Sequence, residues 1–300
     1  MPARITVCYP NQPAVESFLY EDSGYRLGRS DECELLLDHP TVSRQHAKVA
    51  HANKIWQVKD ELSRNGTKVN GIAITQSTLK TDALISIGEL DCLFETKSSE
   101  QLDAIMSHNQ WRLSSSQTPT ALPLIQHLQQ NLSAQLQNII MLTGTQRGII
   151  LLGDTLKTLS VNIAHGMQLT DFELSKFEGS VGAITRCFES GQAVIAMDVT
   201  RHELLSARKS IERKKISALA CIPLFYEDKV VGVVYTDSKI SDKVLTELDI
   251  AILTTMSQQI QASVQAILLQ QSIDSLQLIL DDNSIRISGE KDFSLLNLCH

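Results

Sequence analysis

The chain has 300 residues, of which 43% are hydrophobic and 20% charged, and a formal net charge of -7. That length exceeds one core of ordinary size and points to two domains, while the apolar content is that of a chain able to fold. The acidic balance argues against non-specific nucleic-acid binding, which needs a cationic surface, and no apolar run reaches the ~20 residues of a membrane helix.

From Arg4 to Lys97 the sequence is a series of short alternating or apolar runs, among them "ITVCY", "ELLL", "AKVA", "IWQV" and "ALISIGELDCLFE". Turn-rich pieces such as "EDSG", "DHPT" and "SRNG" separate them. Many short strands at this spacing predict a β-sandwich or barrel. Residues 98–120 are rich in Ser, Gln and Thr, show no sustained period, and are expected to be a flexible linker.

From Leu122 the pattern changes. A helical stretch, "LPLIQHLQQNLSAQLQNIIML", precedes strand candidates "GIILLGD" and "KTLSVNIAHG", then a helix at "SVGAITRCFESG" and a strand at "AVIAMD". A charged helix is predicted at "RHELLSARKSIERKK", and "SALACIPLFYEDKVVGVVYTDS" predicts a hairpin turning at Glu227 and Asp228. The last long helix is expected over about 241–280, with Leu248, Ile252, Met256, Ile260, Val264, Ile267 and Leu268 at three-to-four spacing. About 40 helical residues span ~60 Å, more than this domain can cover, so the free end is expected to pair with the same helix of a second subunit. Residues 282–300 give no clear pattern.

Cys8, Cys33, Cys92, Cys187, Cys221 and Cys299 are widely spaced and form no C-x-x-C or zinc-ligand pattern. The N-terminus, "MPARITVCYPNQP", lacks the apolar core of a signal peptide. A reduced, cytoplasmic chain without metal or cofactor is expected.

The loops of the first region carry three motifs: Gly-Arg at Gly28 and Arg29, Ser-Arg-x-His at Ser43, Arg44 and His46, and "SRNGTKVNG" at 63–71. In this order and spacing they resemble the forkhead-associated (FHA) domain, over roughly residues 1–97. The resemblance implies that Arg29 and Ser43 grip the phosphate of a phosphothreonine, and that Arg44, Arg64 and Asn65 line the peptide cleft, with Asn65 holding the peptide backbone. Physical chemistry agrees for the phosphate, whose charge and acceptor oxygens favour a fixed Arg with hydroxyl and amide donors nearby. Arg44 and Arg64 would extend the cationic patch and favour acidic residues beside the phosphothreonine. Structural roles are expected for Gly28, which would let the backbone approach the ligand, for His46 as a loop brace, for Gly66 and Thr67, and for Asn70 and Gly71, an "NG" hairpin turn.

In the second region, "EGSVGAITRCFESGQAVIAMDVT" and "ISALACIPLFYEDKVVGVVYTDS" resemble the helix-strand segment and last two strands of the GAF domain, a ligand-binding and dimerisation module. Cys187 and Cys221 read as core residues. A catalytic reading would need clustered cysteines or a motif such as G-x-S-x-G, and neither is found.

The expected architecture is multidomain: an all-β FHA sandwich at 1–97, a linker at 98–120, an α/β (α+β) GAF domain with flanking helices at 121–281, and a tail at 282–300. The expected function is that of a non-catalytic bacterial signalling protein. Its FHA domain would bind phosphothreonine-containing proteins, while its GAF domain senses an unidentified small ligand, mediates homodimerisation, or does both, with neither nucleic acid nor membrane as partner. The alternative is a GAF-based sensor of a small ligand such as a cyclic nucleotide, with the FHA domain as a phospho-independent scaffold.

Overall fold

The computed structural model describes residues 1–9, 11–118, 128–167, 177, 179–197, 216–240 and 243–281. They fall into two compact units.

The first unit is a sandwich of eleven strands. One sheet has the order β2-β1-β11-β10-β7-β8 and the other β4-β3-β5-β6-β9. The strands are β1 Ala3–Cys8, β2 Val15–Leu19, β3 Gly24–Gly28, β4 Leu35–Leu36, β5 Ala47–Ala52, β6 Ile55–Asp60, β7 Thr67–Val69, β8 Ile72–Ile74, β9 Gln76–Thr78, β10 Asp82–Ile87 and β11 Leu90–Thr96. Alternation along β5 and β6 turns Ala47, Val49, Trp56 and Val58 inward, where they meet Ile5, Ile85 and Phe94 of the other sheet in one core. Trp56 packs edge-on to Phe94 at 5.9 Å between centroids, and its indole N–H donates to the Met1 carbonyl at 2.9 Å.

Register decides where the loops go. Leu27 lies opposite Ala47, and Ala47 opposite Asp60. The end of β3, the start of β5 and the end of β6 therefore stand side by side, and the loops after β3, before β5 and after β6 leave the sheet at one edge.

This unit also includes residues 243–248. Ala14 N–H donates to the Leu245 carbonyl at 2.8 Å, and Glu247 N–H to the Ala14 carbonyl at 3.1 Å.

The stretch expected to be a structureless linker forms a helix, α1 Ser99–Ser116. Its start is a reciprocal capping box: Gln101 N–H donates to Ser98 Oγ at 3.1 Å, and Ser98 N–H to Gln101 Oε1 at 2.9 Å. Serine and glutamine, which had suggested a linker by composition, act here as caps.

The second unit holds a five-stranded sheet, order β13-β12-β16-β15-β14. Its elements are α2 Leu128–Thr143, β12 Arg147–Leu152, β13 Ser160–His165, α3 Val181–Ser190, β14 Val194–Met197, β15 Ala218–Tyr226, β16 Lys229–Ser238 and α4 Glu247–Asp281. Helix α2 packs so closely on β12 that a Cβ at Gly148 would stand 2.9 Å from Leu136 Cδ1. Glu227 and Asp228 both have positive φ, 46° and 63°, and make the two-residue turn expected between β15 and β16. A register shift at Leu224/Phe225 disturbs the ladder. There the Phe225 N–H donates to Gln261 Oε1 at 2.9 Å, and Gln265 Nε2 donates to the Phe225 carbonyl at 3.0 Å, so α4 supplies both polar partners.

Helix α4 begins later than expected, at Glu247 rather than near 241, and its 35 residues span about 52 Å. Ile252, Met256, Ile260, Val264, Ile267 and Leu268 are buried, as the three-to-four spacing predicts. The helix expected at "RHELLSARKSIERKK", the first residues of the stretch beginning at Leu122, and the tail at 282–300 lie outside the described residues.

Candidate functional site

The three motifs of the first unit are knitted together by hydrogen bonds. Arg29 N–H donates to the Ser43 carbonyl at 2.9 Å, and Ser30 N–H to the Arg44 carbonyl at 3.0 Å. Arg64 N–H donates to Ser43 Oγ at 3.0 Å, and Asn65 Nδ2 to the Thr41 carbonyl at 2.7 Å. Arg29, Ser43, Arg64 and Asn65 thus belong to one set of loops, and Arg44 adjoins it.

Arg29 is exposed, and its Nε donates to the Val42 carbonyl at 3.2 Å. That bond orients the side chain through one nitrogen and leaves the two terminal ones for a ligand. Among the described residues no carboxylate pairs with Arg29, Arg44 or Arg64, whereas Arg26, Arg112 and Arg147 each have one and Arg4 has two. Ser43 Oγ, occupied as an acceptor by Arg64, keeps its own proton to donate.

Beneath these groups lies His46, which is fully buried. Ser43 N–H donates to its Nδ1 at 3.1 Å, and its Nε2 lies 3.1 Å from the Gly66 carbonyl. An Nδ1 that accepts leaves Nε2 to carry the proton, so this is the neutral tautomer bridging two loops. Burial lowers its pKa below the usual value, although the bond to Gly66 works in the opposite direction.

Asp60 was not foreseen, and it organises the third motif. Its Oδ1 accepts from Ser63 Oγ at 2.6 Å and Thr67 Oγ1 at 2.7 Å, and its Oδ2 from Ser63 N–H at 3.0 Å. Burial raises its pKa, but these donors outweigh that and hold the carboxyl below its ordinary value. The signal was present in sequence as an Asp at the end of a strand, followed closely by Ser and Thr.

Gly28 stands where two loops come close. The space its Cβ would fill is taken by the Arg44 carbonyl oxygen, at 2.2 Å, and by Cys33 Sγ at 3.0 Å. The glycine lets a neighbouring loop of the same chain come close. Gly66 has φ 72°, and Asn70 and Gly71 have φ 50° and 82°, the pair that turns β7 into β8.

The second unit holds a buried polar network. Arg147 donates to both oxygens of Asp237, Nε to Oδ1 and a terminal nitrogen to Oδ2, each at 2.7 Å. Tyr235 O–H donates to Asp237 Oδ2 at 2.8 Å and accepts from Ser180 N–H at 3.0 Å. Ser180 caps α3, its side chain accepting from Ala183 N–H. The network fixes α3 on the sheet. Cys187 and Cys221 are both buried; the Cys187 thiol contacts the Cys221 carbonyl at 3.4 Å, and burial pushes the Cys221 thiol well up, which disfavours a nucleophilic thiolate.

Comparison with known families agrees with this division. The family model of the FHA domain matches residues 25–88, and that of the GAF domain matches residues 127–264. The chain carries an FHA domain followed by a GAF domain. The FHA part is 34% identical over 83 residues to the oxoglutarate dehydrogenase inhibitor of Corynebacterium jeikeium, covering 28% of this chain and 58% of that protein. It is 33% identical over 79 residues to the glycogen accumulation regulator GarA of Mycobacterium tuberculosis, covering 26% of this chain and 49% of that protein. The chain spans about half the length of the curated relatives it matches. Among solved structures, the FHA domain of the CT664 protein from Chlamydia trachomatis is 26% identical at a TM-score of 0.31, covering 33% of this chain and all of that one. The first FHA domain of Mycobacterium tuberculosis Rv1747 is 22% identical at a TM-score of 0.27, covering 32% of this chain and all of that one.

Proposed function

We propose that the FHA domain binds phosphothreonine-containing partner proteins in the cytoplasm, and that the GAF domain and α4 assemble the protein as a homodimer that carries this recognition. The observation behind the first part is a trio of exposed arginines, Arg29, Arg44 and Arg64, in the loops that meet at Ser43, with no carboxylate partner among the described residues. A phosphothreonine brings about two negative charges and three acceptor oxygens. Arg29 takes the phosphate through its terminal nitrogens, and Ser43 donates its free proton to a third oxygen. Asn65, one of whose amide hydrogens is engaged by Thr41, keeps its Oδ1 and second hydrogen for the peptide backbone. Arg44 and Arg64 favour acidic residues beside the phosphothreonine.

The names of the relatives, an inhibitor and a regulator, support a regulatory role exerted through protein contact. For the homodimer, support comes from the far end of α4. Leu269, Ile273 and Leu276 are 57%, 40% and 53% exposed, and their spacing of four and three is that of a coiled-coil seam.

The test is titration of the full chain with matched phosphothreonine, phosphoserine and unmodified peptides. Selective phosphothreonine binding is expected, and Arg29→Ala should reduce affinity by about a hundredfold or more, since two charge-assisted hydrogen bonds are lost at ~1.5 to 3 kcal/mol each. Equal binding to modified and unmodified peptides would overturn the reading. Light scattering at micromolar concentration is expected to give a dimer, and a monomer would remove the role assigned to α4.

A further inference from the structure

Leu62 stands at the edge of the phosphate loops in a state that folding does not explain. It is 99% exposed, the most exposed large hydrophobic residue among those described, and its φ is 56°. That backbone region is disfavoured for a residue with a Cβ and nearly free for glycine. The chain on either side is pinned: Glu61 N–H donates to the His46 carbonyl at 2.9 Å, and Ser63 N–H to Asp60 Oδ2 at 3.0 Å. Leu62 is therefore held out rigidly, two residues before Arg64, whose N–H secures Ser43. A rigid, solvated leucine gains nothing from the core and loses little entropy when a partner covers it. A second exposed leucine is near the same loops, since the 51% exposed Leu36 lies opposite Gly28 in the β3/β4 register, next to Arg29.

We infer that Leu62 is a specificity-determining contact for an apolar side chain of the phosphorylated partner. The inference rests on the phosphothreonine reading. It makes the preferred ligand a phosphothreonine segment with one aliphatic or aromatic residue near the phosphate. The charged centre anchors the phosphate, and Leu62 selects among phosphorylated segments by removing apolar surface from water.

The experiment titrates the full chain with two phosphothreonine peptide series, identical except that leucine or serine is placed at each flanking position in turn. Wild type should prefer leucine at one position by about fivefold to tenfold, the effect of covering roughly half of a leucine side chain. Leu62→Gly and Leu62→Ser should each bring that ratio close to one while leaving affinity for the serine peptide unchanged. Ile55→Ser is the control, because Ile55 is exposed at the opposite end of β6, about 17 Å away; it should keep the wild-type ratio. Leu62→Gly should unfold at no lower urea concentration than wild type, since glycine relieves the positive φ. A wild-type ratio retained by both Leu62 variants, or a clear loss of stability in Leu62→Gly, would overturn the inference while leaving phosphothreonine binding intact. Absence of phosphothreonine binding by wild type, or binding that survives Arg29→Ala, would instead overturn the underlying reading.

Discussion

The Ser43 hydroxyl accepts the Arg64 N–H at 3.0 Å, across 21 residues of sequence, so a single side chain joins two of the loops around the proposed phosphate site. Ser43→Ala removes both this acceptor and the proton available to a phosphate. Arg64 is exposed, so water can replace the lost partner and stability should change little. Phosphothreonine peptide affinity should fall about tenfold to a hundredfold, the value of one charge-assisted hydrogen bond. Ser43→Thr, which keeps the hydroxyl, should retain most of it. Peptide titration of the two variants checks this.

Asp60 should matter to the fold more than to the ligand. Its removal strands the Ser63 hydroxyl, the Ser63 N–H and the Thr67 hydroxyl, and Thr67 is 1% exposed. Asp60→Ala is expected to destabilise the sandwich by about 1 to 3 kcal/mol, read as a lower urea midpoint from the fluorescence of buried Trp56. Asp60→Asn, which keeps an acceptor oxygen, should cost less.

His46 makes the sandwich sensitive to mild acid. Burial holds its folded-state pKa below the usual value near 6.5, against the pull of the Gly66 carbonyl. As pH falls through that unfolded-state value, the unfolded chain binds a proton that the folded chain does not, so stability declines until the lower folded-state pKa is passed. Above the unfolded-state value the contribution is fully present. The urea midpoint should therefore drop between pH 7.5 and 5.5, and His46→Gln should flatten that dependence. A slope unchanged in the variant would show that another group is responsible.

The Arg147–Asp237 pair should be intolerant of one-sided change. Both side chains are nearly or fully buried, and Tyr235 shares the carboxylate. Arg147→Met leaves Asp237 charged and buried without its partner, at a cost of about 3 to 5 kcal/mol. Tyr235→Phe removes one donor from Asp237 and the acceptor of Ser180 N–H, at about 1 to 3 kcal/mol. Thermal unfolding of the full chain with far-ultraviolet detection would rank the two, Arg147→Met being the worse.

Where the pattern was local, it was legible. Alternation in "AKVA" and "IWQV", the positive-φ turns at Asn70–Gly71 and Glu227–Asp228, and the stripe from Ile252 to Leu268 all follow from residue type and short spacing. Composition marks residues 98–120 as a linker, whereas the Ser98–Gln101 capping pair marks the start of the helix found at Ser99–Ser116. That the Arg44 carbonyl fills the space beside Gly28 cannot be seen along the chain.

The sequence by itself determined that a strand-rich domain precedes an α/β domain, which loops carry Arg29, Ser43, Arg64 and Asn65, and where the chain must turn. Only the tertiary structure decided that the loops bearing these four residues meet, through the register of Leu27 with Ala47 and Ala47 with Asp60. It also decided that Asp60 joins His46 in bracing the loops, and that Leu62 stands fully in solvent. The reason is that periodicity and turn chemistry act between near neighbours. Hydrogen-bond partners and exposure depend on which distant segments the register sets side by side.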